Sequence, residues 1–217
     1  MAISSEIRWI LNNNEFQIVE QWFEKYNISF PAVEDFDRSD YYLNIKKHID
    51  LGIKIRDAFL DDKNIYHGKL EIKKRIENLG KIDLDGSSGC ANRWIKYSFD
   101  TSNDLLIHDI INQFTFNDNE WIEIKKNRLL LKYDCQKNKI FSSSSILNEG
   151  CSIELTKFLI NKKLYFTLGF ESFGTDDKIN LFDTLFTLFS DIGISNLKLI
   201  NSKSYPEIIQ DHSFIIQ

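Results

Sequence analysis

Leu70-Glu71-Ile72-Lys73-Lys74-Arg75-Ile76 sorts its side chains by charge: Leu70, Ile72 and Ile76 fall on one face of a strand, and Glu71, Lys73 and Arg75 on the other. The preceding run, Gly52-Ile53-Lys54-Ile55-Arg56, repeats the split, with the isoleucines opposite Lys54 and Arg56. Further out, Glu6 and Arg8 oppose Ile7 and Trp9, Lys96 opposes Ile95 and Tyr97, and Arg128 and Lys132 oppose Leu129, Leu131 and Tyr133. Glu154 and Thr156 oppose Ile153 and Leu155 in the same manner, and Thr167-Leu168-Gly169-Phe170-Glu171 offers one more carboxylate. Period-two alternation between turn residues is the signature of antiparallel strands, so the chain reads as mainly β.

A single strand of this kind belongs on a water-facing sheet surface. Across so many strands the apolar faces need a cover, and three helical stretches can supply it. Glu15 to Tyr26 carries Phe16, Val19, Phe23 and Tyr26 on one face, widened by Trp22; Asn103 to Phe114, capped by Ser102 or Asn103, carries Ile107, Ile110, Ile111 and Phe114. Asp177 to Ile192 aligns Ile179, Phe182, Phe186, Phe189 and Ile192, read as core, with Gly193 as the stop. A short strand near Leu197 to Ile200 and a last helical turn after Ser204-Tyr205-Pro206 complete the pattern. A sandwich with apolar faces inward would leave these helices little to cover. A closed barrel with charges inward and helices outside is therefore favoured.

Such a lumen, lined by Lys54, Arg56, Lys73, Arg75, Lys96, Arg128 and Lys132, would repel itself if empty and calls for an anion. Glu6, Glu71, Glu154 and Glu171 offset part of that charge and could instead present oxygen ligands to magnesium or manganese. The formal net charge of -5 argues against nucleic acid and anionic membranes as partners. At 217 residues one domain, 1–217, is expected; Met1 to Leu11 lacks the features of a signal peptide, and no run approaches a membrane span, so a cytoplasmic location is expected. Three cysteines and four scattered histidines show no ligand spacing, and Asp85-Gly86-Ser87-Ser88-Gly89 lacks the spacing of a phosphate-cradling loop and reads as a plain loop.

Taken in order, these segments resemble the CYTH, or triphosphate tunnel metalloenzyme, superfamily, which includes thiamine triphosphatases, inorganic triphosphatases and class IV adenylyl cyclases. Ser4, Glu6 and Arg8 stand at the three positions of that family's ExExK strand, so its first acid is missing here. Arg38-Ser39-Asp40-Tyr41-Tyr42-Leu43 is similar to its second strand, followed by the Lys54/Arg56 and Glu71/Lys73/Arg75 strands, and Cys151-Ser152-Ile153-Glu154-Leu155-Thr156 is similar to its acidic C-terminal strand, with Thr156 where a second acid is often seen.

The resemblance implies an α+β, mainly β fold: an antiparallel eight-stranded tunnel with a charged lumen. It implies that Arg8, Lys54, Arg56, Glu71, Lys73, Arg75, Lys96, Arg128 and Lys132 contact a triphosphate, and that Glu6, Glu154 and Glu171 hold magnesium or manganese for its hydrolysis. The alternatives are non-catalytic retention of a polyphosphate-like anion, motivated by the missing acid, and an interaction scaffold.

Overall fold

The computed structural model describes residues 1–31, 36–60, 66–100 and 121–211. Its strands are β1 (Ala2–Leu11), β2 (Arg38–Leu43), β3 (Leu51–Leu60), β4 (Tyr66–Leu84), β5 (Ser87–Asp100), β6 (Trp121–Asp134), β7 (Lys139–Ser142), β8 (Gly150–Ile160) and β9 (Lys163–Phe173). Every pairing is antiparallel, in the order β2-β3-β4-β5-β1-β9-β8-β6, and β2 pairs back onto β6. Eight strands thus close a barrel with no free edge. The short β7 pairs with β6 beyond the ring.

Among the described residues three α-helices accompany the barrel: α1 (Asn13–Glu24), α2 (Asp177–Ile192) and α3 (Tyr205–Gln210). Asn12 opens α1 with a reciprocal capping box to Glu15, and Ser204 opens α3 in the same way with Glu207, with Pro206 in the first turn. Gly193 ends α2 in the left-handed conformation at φ 76°. The β4–β5 hairpin turns on Asp85 and Gly86, with φ of 34° and 77°, as a two-residue loop requires. The segment expected to be a loop is therefore a tight turn, and Ser87 to Gly89 already belong to β5.

The outer face of the barrel is apolar where the helices cover it. Ile7, Trp9 and Leu11 of β1, Leu129, Leu131 and Tyr133 of β6, Ile153 and Leu155 of β8, and Leu168 and Phe170 of β9 form one buried cluster with α1 and α2. From α1 it takes Phe16, Val19, Trp22 and Phe23, and from α2 it takes Leu181, Leu185, Leu188, Phe189 and Ile192.

Two expectations change here. The buried face of α2 is rotated from the aromatic stripe: Ile179 is 59% and Phe186 66% exposed. The helix carries two apolar stripes, and the leucine stripe offers the longer continuous ridge, so it is the one the barrel takes. Leu197 to Ile200 is not a strand either: Leu199–Asn201 is a turn of 3₁₀-helix, which brings Ser202 to Trp9 and lets the Ser202 hydroxyl accept from the Cys90 amide at 2.9 Å. The expected helix from Asn103 to Phe114 lies outside the described residues.

The inner face has two zones. At one end, inward positions of five strands, namely Ile10, Tyr42, Ile124, Phe158, Ile160 and Tyr165, pack with Ile208 and Ile209 of α3 into a second apolar cluster. Pro206 lies against the backbone of Gly52, where a Cβ would sit 3.2 Å from its ring. α3 is thus a floor across the barrel. Above it the inward positions are charged.

Gly89 offers a direct check on the outer packing, because a Cβ there would fall 2.4 Å from the Trp9 ring, which is itself fully buried. Gly89→Ala is expected to lower unfolding stability by about 1–3 kcal/mol through overpacking. Urea denaturation measures this, and an unchanged midpoint would mean that the Trp9 contact is not as described.

Candidate functional site

The charged zone encloses roughly 830 Å³ of empty space, its open mouth included. Its basic lining comes from six strands: Arg8 of β1, Arg38 of β2, Lys54 and Arg56 of β3, Lys73 of β4, Lys96 of β5, and Lys126 and Arg128 of β6. Glu6, Glu71, Glu154 and Glu171 are the lining carboxylates, and Asp40 lies fully buried beneath. Eight positive groups therefore face five buried or lining carboxylates among the described residues, an excess of three, while the exposed Asp57 meets Arg56 at 3.2 Å and Arg38 at 3.6 Å from the solvent side.

The carboxylates are each held by cations. Asp40 meets Arg38, Lys54 and Lys126, each at 3.1 Å. Burial works to raise the pKa of its carboxyl, but Lys126, Lys54 and Arg38 overcome this and hold it well below the usual carboxylate range. Lys126, 4% exposed, also donates to the Tyr42 hydroxyl at 2.8 Å and stands 3.9 Å from the centre of the Tyr205 ring, so the floor helix supplies part of its solvation.

Glu71 pairs with Lys54 at 3.0 Å and Arg56 at 3.6 Å. Glu154 accepts from Arg8 and Arg128, both at 2.9 Å, and from the Thr156 hydroxyl at 2.9 Å. Burial pushes its pKa up, but the two guanidinium groups keep it ionised well below its ordinary value.

At the third cluster one ammonium joins two acids. Lys73 donates to Glu6 at 2.6 Å and to Glu171 at 3.2 Å, while the Ser4 hydroxyl donates to the same Glu171 oxygen at 3.0 Å. Glu6 and Glu171 are register partners across β1 and β9, which is why they converge. Lys73 foremost lowers the Glu171 pKa to about 2, against the opposing effect of burial. Lys96 lines the cavity and lowers the pKa of both Glu71 and Glu171.

Of the residues expected from the sequence, Glu6, Arg8, Lys54, Arg56, Glu71, Lys73, Lys96, Arg128, Glu154 and Glu171 all line this space. Arg75 and Lys132 do not. Arg75 reaches Asp50 at 3.2 Å and Glu207 at 3.3 Å over the face of Trp94, so it ties β4 to the floor helix. Lys132 donates to the Ser145 carbonyl at 2.6 Å, in the segment after β7.

Sequence reasoning missed Arg38, Lys126, Tyr42 and Tyr205 as lining groups, and placed Asp40 on a strand similar to the family's second strand without giving it a role in the lumen. Arg38, Asp40 and Tyr42 share one face of β2, and Lys126 is two residues from Arg128, so strand phase could have found four of these five. Tyr205 arrives on a helix, and no strand periodicity announces it.

No family model and no curated protein sequence matches the chain. Two solved structures superpose loosely along most of its length. One is a candidate adenylate cyclase from Bacillus halodurans, 10% identical, covering 90% of this chain and 93% of that one at a TM-score of 0.43. The other is a protein from Pyrococcus horikoshii OT3, 14% identical, covering 96% and 99% at a TM-score of 0.44. Among the described residues, no helix is long and apolar enough to cross a membrane.

The clusters set how the protein responds to acid. Asp40, Glu71, Glu154 and Glu171 have pKa values lowered by folding, so each contributes stability that is present above its unfolded value, 4.5 for glutamate, and is lost as pH falls through the folded value, about 2 for Glu171. The melting temperature is expected to hold steady above about pH 5 and to drop steadily below 4.5. Calorimetry across that range checks it, and a melting temperature that rises on acidification would contradict the ion-pair assignment. Asp40→Asn leaves buried Lys126 without its carboxylate and is expected to cost about 3–5 kcal/mol in denaturant unfolding; a loss under 1 kcal/mol would mean that Asp40 is not the counter-ion.

Proposed function

We propose that the lumen binds a linear triphosphate or a similar oligophosphate anion, entering from the end opposite α3. The observation that carries this reading is the excess of three positive charges among groups that face one another inside a closed sheet. Two like charges about 6 Å apart repel by about 3 kcal/mol at an effective dielectric near 20. That is a large share of the 5–15 kcal/mol by which a domain is stable. A ligand bearing several negative oxygens turns the repulsion into attraction.

The kinds of donor support the same class of ligand. Arg8, Arg38, Arg56 and Arg128 present forked donors suited to phosphate oxygens, and Lys54 and Lys96 add point charges between them. Arg8 and Arg128 sit on one wall around Glu154, and Lys54 and Arg56 on another around Glu71. A chain of phosphates placed between these walls can reach donors along its length. The floor admits one end of the chain and leaves any attached organic group at the mouth.

Hydrolysis assisted by magnesium or manganese is a finer reading, which needs Glu6, Glu154 and Glu171 to gather around one ion. Their oxygens are engaged by Lys73, Arg8 and Arg128, and among the described residues no group of three or more acidic, histidine or cysteine side chains is placed to hold a metal. As arranged, the donors do not fit such an ion.

Tripolyphosphate is expected to raise the melting temperature in low salt by several degrees, pyrophosphate less and orthophosphate least. Arg128→Ala and Lys54→Ala should each remove most of the shift, whereas Lys137→Ala, on the exposed β6–β7 turn, should leave it intact. Equal melting with and without tripolyphosphate would reject the reading.

A further inference from the structure

We infer that the ammonium of Lys73 occupies the place between Glu6 and Glu171 that a divalent cation would otherwise take, so that this lumen holds its phosphate ligand without a metal. The inference rests on the oligophosphate reading above and adds how the acids of that site are used. Glu6 and Glu171 are the two lining carboxylates that converge on one point, and a single Nζ fills that point at 2.6 and 3.2 Å. A magnesium ion there would need oxygen ligands at about 2.0–2.1 Å in near-octahedral array. It would have to displace the ammonium first.

Three further observations make that displacement unfavourable. The remaining acid, Glu154, is pinned by Arg8 and Arg128 and by the Thr156 hydroxyl, each at 2.9 Å, so it is not free to join a coordination sphere. Ser4, on the inward face of β1 one step from Glu6, has a hydroxyl where a carboxylate would have added a hard oxygen donor, and it spends that hydroxyl on Glu171. Lys73 in turn stands 5.7 Å from the centre of the Trp94 ring, whose face favours a cation, and its own pKa is raised by Glu171 and Glu6 against burial. The ammonium is therefore a permanent cation on a tether.

The charge balance agrees. Glu6, Glu171 and Lys73 together carry one net negative charge, too little to concentrate a dication in a lumen whose total already exceeds neutrality by three. Positive charge that a metal would bring to the phosphates is already built into the walls. The two carboxylates then act as anchors that fix Lys73 against the lumen wall, leaving a proton of its ammonium for a phosphate oxygen.

The test is calorimetric titration of the full chain with tripolyphosphate in EDTA and again in magnesium, together with electron paramagnetic resonance of Mn²⁺ added to the protein alone. Binding in EDTA at least as tight as in magnesium, with a Mn²⁺ spectrum unaltered by the wild-type protein, is the expected result. Lys73→Gln should weaken tripolyphosphate binding in EDTA tenfold or more and make Mn²⁺ binding appear; Lys137→Ala, on the exposed β6–β7 turn, should do neither.

Binding that requires magnesium, or wild-type Mn²⁺ binding that Glu6→Gln abolishes, would overturn the inference while leaving the oligophosphate reading in place. No binding under either condition would remove both. Should Lys73→Gln fail to fold, the wild-type comparison with and without chelator decides by itself.

Discussion

Cations packed inside a closed sheet repel one another, and most of the architecture answers that one constraint. Closure brings Arg8, Arg38, Lys54, Arg56, Lys73, Lys96, Lys126 and Arg128 to face a common space, in which field lines are poorly screened by solvent. The five carboxylates are placed against these cations: Asp40 among Arg38, Lys54 and Lys126, Glu71 between Lys54 and Arg56, Glu154 between Arg8 and Arg128, and Glu6 and Glu171 around the one ammonium of Lys73. The balance is deliberately incomplete in the physical sense that no rearrangement of five acids neutralises eight bases. What remains is an attractive potential for an anion of matching charge.

The same constraint explains where the apolar groups go. With the lumen given over to charge, the hydrophobic core must lie outside the ring, between the barrel and helices α1 and α2, and beneath the lumen on α3. The floor makes the charged space a pocket instead of an open tube. It also supplies the aromatic face of Tyr205, which together with that of Tyr42 on β2 makes the buried Lys126 tolerable.

Much of this was legible in strand phase. The shared alternation in β3, β4, β6 and β8 placed Lys54, Arg56, Glu71, Lys73, Arg128 and Glu154 on one surface, and the need to cover the opposite surface with helices favoured a barrel over a sandwich. Phase alone does not say how far a strand's inward positions remain within the cavity. Arg75 and Lys132 have the right phase, yet are drawn to partners outside the cavity, Arg75 to Asp50 and Glu207 and Lys132 to the Ser145 carbonyl. Asp40 stood out in the sequence only as part of a strand similar to the family's second strand; its role becomes visible only once three cations from three strands surround it. The rotation of α2 was hidden because its aromatic stripe and its leucine stripe are both at helical spacing, and only the shape of the barrel wall chooses between them.

The most direct measurement is a crystal structure of the protein soaked in tripolyphosphate at low salt. The account predicts a phosphate chain inside the barrel, between the Lys54/Arg56 wall and the Arg8/Arg128 wall, with one end toward Tyr205. Phosphate bound only on the outer surface, or a lumen without phosphate at saturating concentration, would contradict it.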